Sequence, residues 1–193
     1  MKTDTILGTA GRAHRAWLER GRQGEGRIDR SHLRLLSVAL AGQELAQIRL
    51  SDCELVEAVL RSARMQEAEL ESCTFMACVF LSAKLDQALI HQSAFKGCFL
   101  ALSKAPGVKV HQSSFSNCDM ERARWTDARF VGVQFDGGKW GHTDLSGAHF
   151  QDCEFLDVDW SSAKLAGVTL SNCQIGGLTL PAQHGVTLQD CRQ

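Results

Sequence analysis

The chain has 193 residues, a formal net charge of −1 and 44% hydrophobic residues. That length holds one domain with a sizeable core, and the near-zero charge gives no overall attraction to nucleic acid or to a membrane surface. No stretch approaches 18 consecutive apolar residues, which excludes a membrane-spanning helix.

The N-terminal "MKTDTILGTAGRAHRAWLER" lacks a continuous apolar run and carries Asp4, Arg12 and Arg15. It does not read as a secretory signal, so a cytoplasmic protein is expected. Residues 9–20 suit a short helix with Thr9 as its N-cap, and Trp17 and Leu18 are placed to plug the N-terminal end of the core. The glycine-rich "RGRQGEGR", residues 20–27, reads as a flexible joint.

From Leu35 a period of five begins. Every fifth position from 35 to 180, thirty in all, holds a large apolar residue, with Ala105 the exception. We call this the central residue. Two places before it stand mostly Ala, Cys, Ser or Val, and the other three places are mostly polar, charged or Gly. Neither a helix nor a strand has that period. The central residue and the small one point inward, and the residue between them points outward as in a strand. The next two residues must turn the chain. Gly stands two past the central residue at 42, 97, 107, 132, 137, 147, 167 and 177, where a corner wants permissive dihedrals.

Like residues recur at 20. Central phenylalanines separated by 20 number five pairs, against three at 5 and none at 10. Cys53–Cys73, Cys78–Cys98, Cys98–Cys118, Cys153–Cys173 and Trp140–Trp160 agree. Four sides therefore close one coil. About 7.5 coils at a spacing of roughly 4.8 Å make a rod about 36 Å long.

The first coil carries Gln43 and Ile48 where small residues otherwise stand, and "SKAPG" (103–107) stays in frame with an expected bulge. Pro181 breaks the frame. "VTLQDC" (186–191) then echoes "VTLSNC" (168–173) in shifted phase, as a last partial turn. The expected division is an N-terminal cap and linker over 1–32, the solenoid over 33–180 and a C-terminal cap over 181–193.

"TDLSG", "ARFVG", "AKLAG" and "CEFLD" resemble the pentapeptide-repeat family, whose pattern is A-(D/N)-L-x-x. The resemblance covers residues 33–180. It implies an all-β fold, a right-handed quadrilateral parallel β-helix. It also implies one known activity, protection of DNA gyrase and topoisomerase IV by rods that resemble duplex DNA.

No catalytic, cofactor or metal site is expected. Seven of the eight cysteines sit at the small inward position: 53, 73, 78, 98, 118, 153 and 173. There they are core residues, without paired metal-ligand spacing or easy disulfide geometry. Cys191 lies outside the frame and reads as the reactive one. His91 and His111 share a column, with no carboxylate beside them. No nucleophile motif appears, "DGGKWGH" (136–142) lacks P-loop spacing, and a rod filled with Phe and Leu has no substrate cleft.

Two surfaces remain. Arg64, Lys84, Lys104, Arg124 and Lys164 form a basic ladder one place before the central residue, preceded by Glu44 and interrupted by Asp144. Glu67, Asp86 and Asp127 are the expected compensation. Val59, Val79 and Phe99 stack in another such column, with Val56 and Met76 across the corner and Leu81 and Leu102 following. A contiguous apolar patch of this kind marks an interface. The expected function is a non-enzymatic protein-interaction module, with another protein or a second copy (a homodimer) as partner and with neither membrane nor nucleic acid bound directly. DNA gyrase or topoisomerase is the alternative partner. It fits poorly, since residues 35–193 carry 18 acidic and 13 basic side chains, a net of −5 where DNA of that length carries roughly 20 negative charges.

Overall fold

The computed structural model describes residues 4–182 and 185–193, with side chains from residue 11 onward. Helix α1 (Asp4–Glu19) leads into a parallel β-solenoid. Its strands are two or three residues long and pair coil on coil at a separation of 20, Leu50 beside Leu70 and Phe95 beside Phe115.

The rod has four faces. Face 1 is a nine-stranded parallel sheet from Asp29–Ser31 to Thr187–Gln189, and face 2 a seven-stranded sheet from Arg34–Leu36 to Glu154–Leu156. Face 1 thus starts inside the segment read as cap and linker. Face 3 is a column of single bridges through Ala39, Val59, Val79, Phe99, Asp119 and Lys139, and face 4 one from Glu44 to Lys164.

The corners follow from the period. Between His32 and Asn172 the residue two past each central position has φ between 48° and 72°, Ser162 excepted, and most of these residues are not glycine. This left-handed conformation costs an L-residue about 1–2 kcal/mol. Most of these residues are held by their N–H, which donates to a carbonyl of the next coil: Ser62 to Leu81 at 2.9 Å, Glu67 to Asp86 at 2.8 Å.

The corners after faces 3 and 4 close on themselves. The Ala83 N–H reaches the Phe80 carbonyl at 2.8 Å and the Ala88 N–H that of Leu85 at 3.0 Å, which with the positive φ makes type II turns. "SKAPG" is one of these and does not bulge: Pro106 and Gly107 take the two middle positions of a turn closed by Val108 N–H to Ala105 at 3.2 Å. After faces 1 and 2 the central carbonyl instead accepts from an inward side chain of the next coil. Cys73 Sγ lies 3.5 Å from the Leu50 oxygen, Ser93 Oγ 3.4 Å from that of Leu70 and Cys98 Sγ 3.4 Å from that of Phe75. Ser93 Oγ also accepts the Cys73 N–H at 3.0 Å. Thiols and hydroxyls cluster at these two corners, whereas Ala68, Ala88, Ala123 and Ala128 fill the self-closed ones.

The central residues fill the interior. Phe75, Phe95, Phe115, Phe135 and Phe155 form one stack on face 2, with ring centroids 4.7–5.6 Å apart and interplanar angles of 7–14°. Each is fully buried. Phe115→Ala is expected to lower unfolding free energy by about 3–5 kcal/mol in denaturant titration; a loss under about 1 kcal/mol would contradict the stack.

Helix α1 runs through Thr9, which is therefore an interior helical residue and not the N-cap; nothing in residues 4–8 is strong enough to stop the helix there. Trp17 is buried as expected and Leu18 only half so. The main plug is His14, fully buried and stacked on Trp17. Its Nε2 donates to the Ala46 carbonyl at 2.8 Å, and its Nδ1 accepts the Ile28 N–H at 3.1 Å. Nor is 20–27 a free joint. Arg27 donates from Nε to the Gln47 carbonyl at 2.6 Å and pairs with Glu69 at 2.8 Å, and Arg22 pairs with Glu67 at 3.3 Å. A Cβ at Gly26 would meet the Ala13 carbonyl oxygen at 2.8 Å, so glycine lets the loop pass under α1.

Burial holds His14 below its ordinary pKa; Ala46 and Glu44 pull it up and Arg27 adds to the burial effect. The docked form is therefore neutral, and protonation would set Nδ1–H against the Ile28 N–H. The undocked ring takes its proton near pH 6.5. The docking energy from His14 is thus complete above about pH 6.5 and is lost progressively below it. Exchange of the Ile28 amide, corrected for its intrinsic pH dependence, is expected to accelerate on going from pH 7.5 to 5.5. A constant protection factor would contradict the docking.

Candidate interaction surface

Cys53, Cys73, Cys78, Cys98, Cys118, Cys153 and Cys173 are all buried and free. Burial pushes the Cys73 thiol up to about 12. Cys191 is not outside the frame. Thr169 pairs with Thr187, so the last coil has lost two residues and Cys191 falls in the column of Cys173, its Sγ 3.4 Å from the Leu170 carbonyl. The aligned echo of the two hexapeptides carries that register. Cys191 is half-exposed. Thiol labelling of the native protein is expected to modify Cys191 and spare the other seven until denaturant is added; rapid labelling of more than two of the seven would contradict the assignment.

His91 and His111 pair across face 1. His91 Nε2 lies 3.1 Å from Gln112 Oε1, and its Nδ1 3.9 Å from Glu71, which stands one coil before it in the same column and corrects the expectation that no carboxylate lies beside the pair. Among the described residues no three His, Cys, Asp or Glu side chains gather as metal ligands would.

The apolar corner is laid out along faces 2 and 3. Val56 pairs with Met76, and Val59, Val79 and Phe99 bridge in sequence. Val56, Val59, Met76, Val79 and Leu81 are half-buried, whereas Phe99 is 48% and Leu102 47% exposed. Leu36, 52% exposed and paired with Val56, extends the patch by one coil. Its place 20 residues before Val56 was the available signal. Asp119 and Glu121 bound the patch toward the C-terminus, and the Asp119 carboxylate is fixed by accepting the Glu121 N–H at 3.0 Å.

The basic ladder stands on face 4 in the order Glu44, Arg64, Lys84, Lys104, Arg124, Asp144, Lys164. Arg64 pairs with Glu44 at 3.0 Å. Lys84, Lys104 and Arg124 are exposed, and among the described residues no carboxylate lies within 4.0 Å of them. The expected compensation does not reach them. Glu67 binds Arg22 and accepts from Gln47, one Asp86 oxygen is buried without a hydrogen-bond partner, and among the described residues Asp127 has no cation within 4.0 Å.

The pentapeptide repeat region family matches residues 68–145, and the family of eight-copy pentapeptide repeats matches residues 143–177. The chain belongs to the pentapeptide-repeat family. No curated protein sequence matches it. The pentapeptide-repeat rod is similar to full-length QnrB1, a plasmid-mediated fluoroquinolone resistance protein, at 14% identity and a TM-score of 0.49, over 85% of this chain and 92% of that one. It is also similar to HetL of the cyanobacterium Nostoc, involved in heterocyst differentiation regulation, at 17% identity and a TM-score of 0.36, over 100% and 94%. Rfr23 of the cyanobacterium Cyanothece follows at 14% identity and a TM-score of 0.27, over 70% and 91%. Among the described residues no helix is long and apolar enough to cross a membrane.

Proposed function

We propose that the chain is a non-enzymatic protein-interaction module whose contact surface is the apolar corner of faces 2 and 3. The observation that carries this reading is the pair of outward apolar columns, Leu36, Val56 and Met76 on face 2 and Val59, Val79 and Phe99 on face 3, with Leu81 and Leu102 at the next corner. A closely filled interior, without a clustered set of nucleophile and base, supports no catalytic alternative. Modulation of DNA gyrase or topoisomerase as a duplex-like rod would call for a dense anionic surface, and face 4 carries the opposite charge at Lys84, Lys104 and Arg124.

Burying a large apolar side chain contributes about 1.5–3 kcal/mol, whereas an exposed ion pair contributes at most about 1 kcal/mol. Phe99, aromatic and central to the patch, is the expected hot spot. Phe99→Asp should leave the melting temperature within about 2 °C of the parent, because that position points outward. The tagged variant should lose the host proteins that the parent chain retains in affinity capture with mass spectrometry. Sedimentation velocity on both proteins separates a second copy from a foreign partner. An unchanged set of retained proteins and an unchanged sedimentation coefficient would overturn the reading.

A further inference from the structure

The apolar corner and the basic ladder are one surface. Phe99 on face 3 and Lys104 on face 4 lie five residues apart around a single type II corner, with Leu102 at its tip. One coil earlier Val79 and Lys84 repeat the pairing, with Ser82 at the tip and Leu81 one place before it. Two rows thus run along the rod, offset by one coil: apolar through Val59, Val79 and Phe99, cationic through Lys84, Lys104 and Arg124, so that they stand side by side at Val79–Lys84 and Phe99–Lys104. Lys84 and Lys104 lack carboxylate partners at those two coils, whereas Arg64 beside Val59 is paired with Glu44. A ladder of like charges about 4.8 Å apart is self-repelling, and an opposing row of carboxylates relieves it.

We infer that this composite surface docks an amphipathic α-helix of a partner protein, lying along the rod, whose apolar stripe is flanked by a row of Asp or Glu. This rests on the reading of the chain as an interaction module and names the chemistry of its partner. The spacing selects the helix. Side chains on one helix stripe recur about every 5.4 Å, so they drift from the coils by about 0.6 Å per repeat and stay in register over three coils. One face of an extended strand recurs about every 6.7 Å and is out of register by about 2 Å at each coil. A helix of about 20 residues spans about 30 Å, most of the rod.

The probes are three fluorescently labelled helical peptides of about 20 residues: a leucine stripe beside a glutamate row, the same stripe beside a lysine row, and the glutamate row beside serine. Binding to the full chain is read by anisotropy. The leucine–glutamate peptide is expected to bind at least about tenfold more tightly than either control and to weaken as NaCl rises from about 50 to 500 mM. The triple variant K84E/K104E/R124E should reverse the preference toward the lysine peptide, which a folding defect would not do. Phe99→Asp should weaken the leucine peptides about tenfold or more. Equal affinity for the glutamate and lysine peptides, no binding of any peptide, or no effect of the triple reversal overturns the inference. If Phe99→Asp still releases host proteins while the triple reversal retains them, the interaction module stands without its acidic helix. If Phe99→Asp releases none, the module reading falls as well.

Discussion

The left-handed corner residue is the constraint on which the rest depends. A side of five residues has room for three in extended conformation, and the remaining two must redirect the chain by about a quarter turn. Positive φ at the second of them achieves that in so short a span, and it recurs at nearly every corner from His32 to Asn172, Ser162 excepted. The strain is tolerated because the same residue donates a hydrogen bond to the neighbouring coil. A lone coil would lack that bond, so coils are stable only as a stack. Side chains reinforce the column: Gln47 donates to Glu67 at 2.6 Å and Asn172 to Asp152 at 2.6 Å.

The second consequence concerns the interior. Four corners of identical turn type would leave the inward small residue no polar role, and alanine would suffice throughout. Two of the corners here present a central carbonyl to the interior, and an unsatisfied buried carbonyl costs about 1–3 kcal/mol. A thiol or hydroxyl beneath it removes that cost while remaining small. The cysteines therefore report corner geometry and not redox chemistry. Two hydroxyls at self-closed corners depart from the rule: Thr143 sends Oγ1 to the Met120 carbonyl at 2.8 Å, and Ser103 Oγ accepts the Trp125 Nε1–H at 3.0 Å. Gly138 marks where the column fails, since a Cβ there would collide with the Cys118 carbonyl oxygen.

Legibility in the sequence followed repetition. The frame, the 20-residue coil and the phenylalanine stack were readable because each rests on an interaction made many times over, so one pattern carries them all. His14 was not readable, because its site is built once, from Ala46 and Ile28, which are 32 and 14 residues away. Arg27 is similar: in sequence it is one more cation in a glycine-rich segment, and only the return of the chain beneath α1 brings it to Gln47 and Glu69. The compensation of the basic ladder was misjudged for the same reason. Column membership predicts neighbours along the rod but not which of several cations a carboxylate such as Glu67 selects. The candidate surface was legible as columns, Leu36 aside, but its adjacency to the ladder depends on what each corner exposes, and Leu102 shows that a corner tip can carry a large apolar side chain.

The separation of inward and outward positions explains why such a rod suits recognition. Inward residues and corners hold the coil, whereas the residues flanking each central position hold nothing that backbone pairing does not already supply. A substitution there changes the surface at little cost to the fold, and a contact can be built by varying one column. Such a column runs Ala39, Val59, Val79 and Phe99, from methyl to phenyl, before Asp119 ends it, over coils whose interiors are nearly uniform. The change at Asp119 has no cause in the core, which continues through Met120 and Trp125 with the same burial. The boundary of the apolar row therefore belongs to the surface and not to the core.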